Sequence, residues 1–228
     1  MLNVTHRAWG GLEHRASAAL ACAATALPCL HAKERSKDYI ELLNLFAHEY
    51  FHLWLVKRIT PQEFVNPCLN QETYSTLLWL FEGFTTYYAD RVLLRSGLID
   101  KEQYADALTA LFKAVLHTKA QTVQTLQEAS FDAWIKFYKP SVDAANSYVS
   151  YYKQGALAAL VLDLFIREKT RGKKSLDDLL RGLWLDVKTA THYDGITREI
   201  LLQHLEKLAG KPACTLLTTL TQTTKAIN

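Results

Sequence analysis

Five residues, His48-Glu49-Tyr50-Phe51-His52, constrain this chain more than any others, and they lie inside a long apolar run from Tyr39 to Ile59. On an α-helix, positions four apart project from one face, a turn apart. Two neutral imidazoles at that spacing can both reach one zinc ion, at roughly 2.0–2.1 Å each. Glu49, beside the first imidazole, stands where a carboxylate can take a proton from water polarised by such an ion. The pattern therefore calls for a helix. Asp38 suits its first turn, Lys57 and Arg58 suit its last, and Pro61 stops it. The competing reading makes both histidines satisfied core residues of a buried helix. Zinc also requires a third protein ligand and an open position for water.

A second long helix is expected from Glu72 to Ser96, with Gly97 as its stop. It contains Leu78-Trp79-Leu80-Phe81-Glu82-Gly83-Phe84-Thr85, and an acid inside such an apolar stretch is costly unless paired or bound to metal. Glu82 lies 82 − 52 = 30 residues beyond His52. That length lets a loop and a second helix return beside the first, which makes Glu82 the natural third ligand. The alternative has Glu82 facing solvent or pairing with an arginine such as Arg91.

The amino-terminal residues read as extended chain. Asn3-Val4-Thr5 and Ala8-Trp9 precede Gly10-Gly11-Leu12-Glu13-His14. The glycines would allow the close backbone approach of a substrate-lining edge strand, although local pattern alone favours an ordinary Gly-Gly turn. Residues 15–37 read as strand and loop broken by Pro28, and 60–71 as loop. Further helices are expected after the Asp100/Gln103 capping box to Lys119, over Ser130–Tyr138 and over Lys153–Thr170. Others are expected from the Ser175/Asp178 cap to Val187, over Thr197–Ala209, and over Pro212–Ala226.

Composition removes several function classes. With 26 basic and 23 acidic residues, a net of +3 and no basic stripe, nucleic acid is not an expected partner. No run is long enough to span a bilayer, and the most apolar stretch, Gly155–Ile166, is interrupted by Asp163. Ser17–Leu27 imitates a signal peptide but follows Glu13 and His14. Cys22, Cys29, Cys68 and Cys214 form no C-x-x-C pair, so free buried thiols in a reducing, cytoplasmic setting are expected.

Several ordered blocks together resemble the glycyl aminopeptidase family of zinc peptidases, within the gluzincin group. They are Gly-Gly-Leu-Glu-His-Arg-Ala-Ser (10–17), His-Glu-Tyr-Phe-His-Leu-Trp-Leu-Val-Lys-Arg-Ile (48–59), Leu-Trp-Leu-Phe-Glu-Gly-Phe-Thr-Thr-Tyr-Tyr (78–88) and Arg-Ser-Gly-Leu-Ile (95–99). Ser-Phe-Asp-Ala-Trp-Ile-Lys-Phe-Tyr (130–138), Val-Ser-Tyr-Tyr-Lys-Gln-Gly-Ala-Leu (149–157) and Ser-Leu-Asp-Asp-Leu (175–179) continue the match. The resemblance implies an α+β, predominantly helical, thermolysin-like catalytic domain, with a small amino-terminal sheet (1–37) followed by a helical part (38–228). It implies one zinc held by His48, His52 and Glu82. Glu49 would be general base and then acid. Tyr152 would be the oxyanion donor with Tyr151 as its rival, and Glu13 would hold the α-amino group of a peptide substrate. Gly10 and Gly11 would line the substrate. Thr86 and Asp90 are candidates to orient the histidines, or solvated-face residues.

Leu55 stands where the family usually has Asn, Gln154 where it usually has Lys, and no glycine-arginine pair precedes Gln124. Family members typically also carry an amino-terminal β domain and a carboxy-terminal PDZ domain, so the 228 residues are expected to be a catalytic core alone. The implied activity is removal of amino-terminal Gly or Ala. A catalytically inactive remnant acting as a binding module, and an endopeptidase on the same site, are the rival readings.

Overall fold

The computed structural model describes residues 1–29, 31, 34–139, 142 and 147–225. Three short strands open the chain: β1 (Leu2–Thr5), β2 (Gly10–Glu13) and β3 (Ala18–Ala23). Their order is β1-β3-β2, with β1 parallel and β2 antiparallel to β3. Alternation along β3 turns Leu20 and Cys22 inward, and Cys22 packs with Ala26 and Leu42. The Gly10-Gly11 pair is thus strand and not turn; Gly10 pairs with Ala21 and Glu13 with Ala18. Ser17–Leu27, the signal-like segment, folds as β3 and a 3₁₀ turn.

Leu42 belongs to α1 (Lys37–Phe51), which starts where Ser36 accepts the Tyr39 amide and carries Asp38 in its first turn. It ends at Phe51 with His52 as C-cap, earlier than the sequence suggests, so Lys57 and Arg58 lie on the turn beyond it. The second helix also differs. It begins with a π-turn (Trp79–Gly83) that runs into α2 (Phe84–Arg95), and 72–75 are irregular.

The Asp100/Gln103 capping box opens α3 (Lys101–Leu116) as expected. In place of one helix over Ser130–Tyr138 there are α4 (Leu126–Phe131) and a π-turn, Ala133–Phe137. α5 (Tyr151–Lys169) starts two residues early, which puts both tyrosines in its first turn. α6 (Leu176–Thr189), α7 (Arg198–Ala209) and α8 (Lys211–Gln222) complete the chain, with the Ser175/Asp178 box and Gly210 at the expected boundaries.

The main core forms around α5, where Leu162 and Ile166 meet Trp79, Phe81 and Phe84 from the second helix and Leu201, Leu205 and Leu217 from the last two. Buried Asp163 is fully engaged. It accepts from Tyr87 Oη at 2.8 Å, Arg91 at 2.6 Å, Arg167 at 3.0 Å and the Leu176 amide at 2.7 Å. A buried carboxylate without such partners would be strongly destabilising; here it ties α2, α5 and α6 together. The same network occupies Arg91, leaving Glu82 to other partners. Among the cysteines only Cys22 is buried; Cys29 and Cys68 are exposed and Cys214 half-buried, all four as free thiols. No helix among the described residues is long and apolar enough to cross a membrane.

Candidate active site

α1 presents His48 and His52 one turn apart, as their spacing requires, with ring centroids 4.7 Å apart. Glu82 reaches them from the π-turn. Its Oε2 lies 3.1 Å from His48 Nε2 and 3.4 Å from His52 Nε2, and the three donor atoms fall within 4.8 Å of one another. Tetrahedral ligands each about 2.0–2.1 Å from a zinc ion lie roughly 3.3–3.4 Å apart, so the set fits such an ion. Burial acts to lower the His52 pKa, but the hydrogen bond and charge of Glu82 outweigh it and push it up to about 9. Burial acts to raise Glu82, and the hydrogen bonds of His48 and His52 outweigh it and bring it down to about 2. With no cation between them Glu82 and His52 pair as opposite charges; once the imidazoles give up their protons, two ring nitrogens and a carboxylate are the donor set that a divalent cation takes.

Two local features place these ligands. π-segments are rare and concentrate at functional sites, and this one carries Glu82 across α5. The crossing is built on Gly83 and Gly155. A Cβ at Gly83 would collide with the Gly155 backbone, and one at Gly155 with the Trp79 carbonyl and Gly83 Cα. The Ser130 hydroxyl accepts the Trp79 amide at 2.9 Å and fixes the start of the π-turn. The second feature follows α1. His52 Nδ1 meets the Leu55 carbonyl at 2.9 Å, the kind of outer contact that sets a metal-binding tautomer. Val56, next in the chain, has φ 135°. A β-branched residue there is strained and persists only where the surroundings over-determine it. Among the described residues neither Thr86 nor Asp90 hydrogen-bonds an imidazole; Thr86 donates to the Glu82 carbonyl at 2.8 Å, and Asp90 accepts from Asn44 at 2.6 Å.

Glu49 is 7% exposed, and its Oε2 is buried with no hydrogen-bond partner among the described residues. Burial raises its pKa against the lowering influence of His48 and His52. Strand β2 runs directly over it, and a Cβ at Gly11 would collide with the Glu49 carboxyl. Glu13, at the end of that strand, groups with Glu49 and His52 within 4.8 Å and pairs with Lys57 Nζ at 2.9 Å.

From the other side, the Tyr152 ring stacks on His48 at 6.1 Å. Tyr151 is buried, with its hydroxyl bonded to that of Tyr138 at 3.2 Å. Burial, then the Glu82 carboxylate, raises the Tyr152 pKa and keeps its hydroxyl protonated. A cleft of about 740 Å³ takes in His48, His52, Glu82 and Glu49. Gly10, Gly11, Glu13, Asn44, Tyr151 and Tyr152 line it, together with the exposed aromatics Trp9, Trp134 and Tyr138.

Every residue singled out in the sequence as ligand, base, oxyanion donor or substrate contact thus borders one cleft. The Lys57–Glu13 pairing, the Gly83–Gly155 crossing and Asn44 as the partner of Asp90 are not visible in the sequence reading. A signal existed for the glycines alone: glycine inside a helix costs about 1 kcal/mol relative to alanine, which asks for a packing reason.

Comparison with known proteins gives the family. No curated protein matches the chain. The crystal structure of an aminopeptidase N family protein from Idiomarina loihiensis superposes with a TM-score of 0.94 at 35% identity, covering 100% of this chain and 38% of that one. The chain therefore spans well under half the length of that relative. The M61 glycyl aminopeptidase family profile matches residues 41–158, just over half of the chain, and the chain belongs to that family.

Proposed function

We propose that residues 1–228 act as the thermolysin-like catalytic core of a zinc-dependent aminopeptidase that removes amino-terminal glycine or alanine from peptides. The observation that carries this reading is the convergence of His48 Nε2 and His52 Nε2 on Glu82 Oε2, beside a buried Glu49 oxygen that has no partner among the described residues. His48, His52 and Glu82 would hold the zinc, which when bound polarises the peptide carbonyl and acidifies water.

Each remaining step falls to a side chain of the cleft. Glu49 takes the proton from the attacking water and returns it to the leaving amine, work that favours a carboxyl whose pKa is raised by burial. Tyr152, held neutral against His48, donates to the oxygen on which charge develops. Glu13 grips the substrate's α-ammonium, so the scissile bond falls after the first residue. Gly11 keeps the strand close enough to define the cleft wall without displacing Glu49. The preference for a small first residue comes from the family, and fold-level analogy alone supports it.

The test compares glycyl and alanyl anilides with their N-acetylated forms, using the zinc-loaded chain and Glu49→Gln. The proposal expects cleavage of free-amine substrates only, and a loss of roughly 10²–10⁴ in kcat for Glu49→Gln with zinc content unchanged. Equal cleavage of blocked substrates would remove the aminopeptidase assignment, and an active Glu49→Gln would remove Glu49 as the base.

A further inference from the structure

We infer that Lys57 is a positioning residue for Glu13, holding that carboxylate so that one oxygen faces the cleft for a substrate ammonium. This rests on the aminopeptidase reading above and goes beyond it by assigning a residue outside the zinc motif to amine recognition.

Lys57 lies on the turn after α1, not in the helix, and its Nζ reaches Glu13 Oε1 at 2.9 Å across to the end of β2. The two side chains are 31% and 20% exposed, so the pair is partly shielded rather than freely solvated. Glu13 needs a cation. It shares a 4.8 Å cluster with Glu49 and His52, and Glu82 lies just beyond on His52. Carboxylates this close repel, and an unheld Glu13 would swing toward solvent. Lys57 engages Oε1. A carboxylate has two oxygens and about four lone-pair sites, so the second oxygen stays available.

The turn is built to deliver this lysine. The Lys57 amide bonds the His52 carbonyl at 3.1 Å, and Thr60 Oγ1 bonds the Val56 carbonyl at 2.6 Å. The Arg58 guanidinium bonds the Leu53 carbonyl. These contacts hold Val56 at φ 135° and send the next side chain toward β2. The same turn supplies the Leu55 carbonyl that orients His52. One short segment therefore sets both a proposed metal ligand and the proposed amine anchor, and fixes their spacing.

The experiment measures ligand binding to the zinc-loaded Glu49→Gln protein, in which turnover is blocked. Glycinamide is the probe and N-acetylglycinamide the control, followed by calorimetry or NMR titration. Added Lys57→Met is expected to weaken glycinamide about 2- to 5-fold and to leave the control unchanged. In a Glu13→Gln background the same substitution should add nothing, because its effect runs through Glu13. Lys57→Arg, which keeps the pairing charge, should recover part of the loss. With Glu49 restored, Lys57→Met should raise KM for a glycyl anilide by a similar factor and leave kcat within about twofold. Tighter or unchanged glycinamide binding in Lys57→Met overturns the inference, the first because Lys57 would then compete with substrate. Equal weakening with and without Glu13 overturns it too. If the protein with Lys57 intact binds glycinamide no better than the acetylated control, the aminopeptidase reading itself falls. Discrimination that is undiminished in Lys57→Met removes only the role of Lys57.

Discussion

Asp90 offers a test of the packing beside the site that does not depend on turnover. Its carboxyl is packed between α1 and α2, and its pKa is raised by burial from 3.8 to about 6 even though the Asn44 amide, bonded at 2.6 Å, favours the anion. The folded protein therefore holds this proton over a pH range in which the unfolded chain has released it. The contribution to stability is fully present below pH 3.8 and is lost as pH rises through about 6. The span from 3.8 to about 6, at about 1.4 kcal/mol per pH unit, makes ionised Asp90 oppose folding by about 3 kcal/mol at pH 8. The same relation gives about 0.6 kcal/mol at pH 4. Asp90→Asn keeps an oxygen to accept from Asn44 and removes the titration. Urea denaturation of both proteins from pH 4 to pH 8 should show near-equal stability at pH 4 and a growing advantage for the variant. By pH 8 that advantage should reach about 2–3 kcal/mol, or a Tm gain of roughly 4–12 °C. A constant difference across the range, or one that shrinks as pH rises, would show that burial does not hold the Asp90 proton.

Gly11→Ala should push the Glu49 carboxyl aside, because the new Cβ collides with it. Zinc and fold should survive while kcat falls at least 10-fold, toward the roughly 10²–10⁴ of losing the base, and full activity in steady-state assays would show that the clearance is unimportant. Tyr152→Phe, whose ring stacks on His48, should lower kcat by roughly 10²–10³, whereas Tyr151→Phe, whose ring packs against Phe137 and Tyr152, should cost far less; the reverse ranking would exchange their roles. Gly155→Ala should overpack the crossing with the π-turn and destabilise by about 1–3 kcal/mol, and an unchanged Tm on thermal denaturation would contradict the close contact.

Much of the site was legible because its signals are local. The four-residue step between His48 and His52 is a helical period, and Glu82 stood out as an acid in an apolar run. The capping boxes at Asp100 and Ser175 were readable for the same reason, since a cap is satisfied within four residues. What sequence reading missed depends on distant partners. Lys57 and Arg58 look like the basic end of a helix, yet α1 stops at Phe51. There the His52 ring turns to the Leu55 carbonyl, and Lys57 finds Glu13 more than forty residues back in the chain. Gly10-Gly11 reads locally as a turn, and becomes a strand by pairing with β3 on one side and lying against Glu49 on the other. The second helix begins late because Ser75 bonds the Leu77 amide and Ser130, from α4, caps Trp79. None of those partners can be chosen from spacing alone.

The most direct measurement is zinc content per chain, by elemental analysis after exhaustive dialysis, for the protein and for His52→Ala and Glu82→Ala, with folding checked by circular dichroism. The proposed site predicts about one zinc per chain, lost at micromolar concentration in both variants while helicity is retained. A folded protein without zinc, or a Glu82→Ala variant with undiminished zinc, would contradict it.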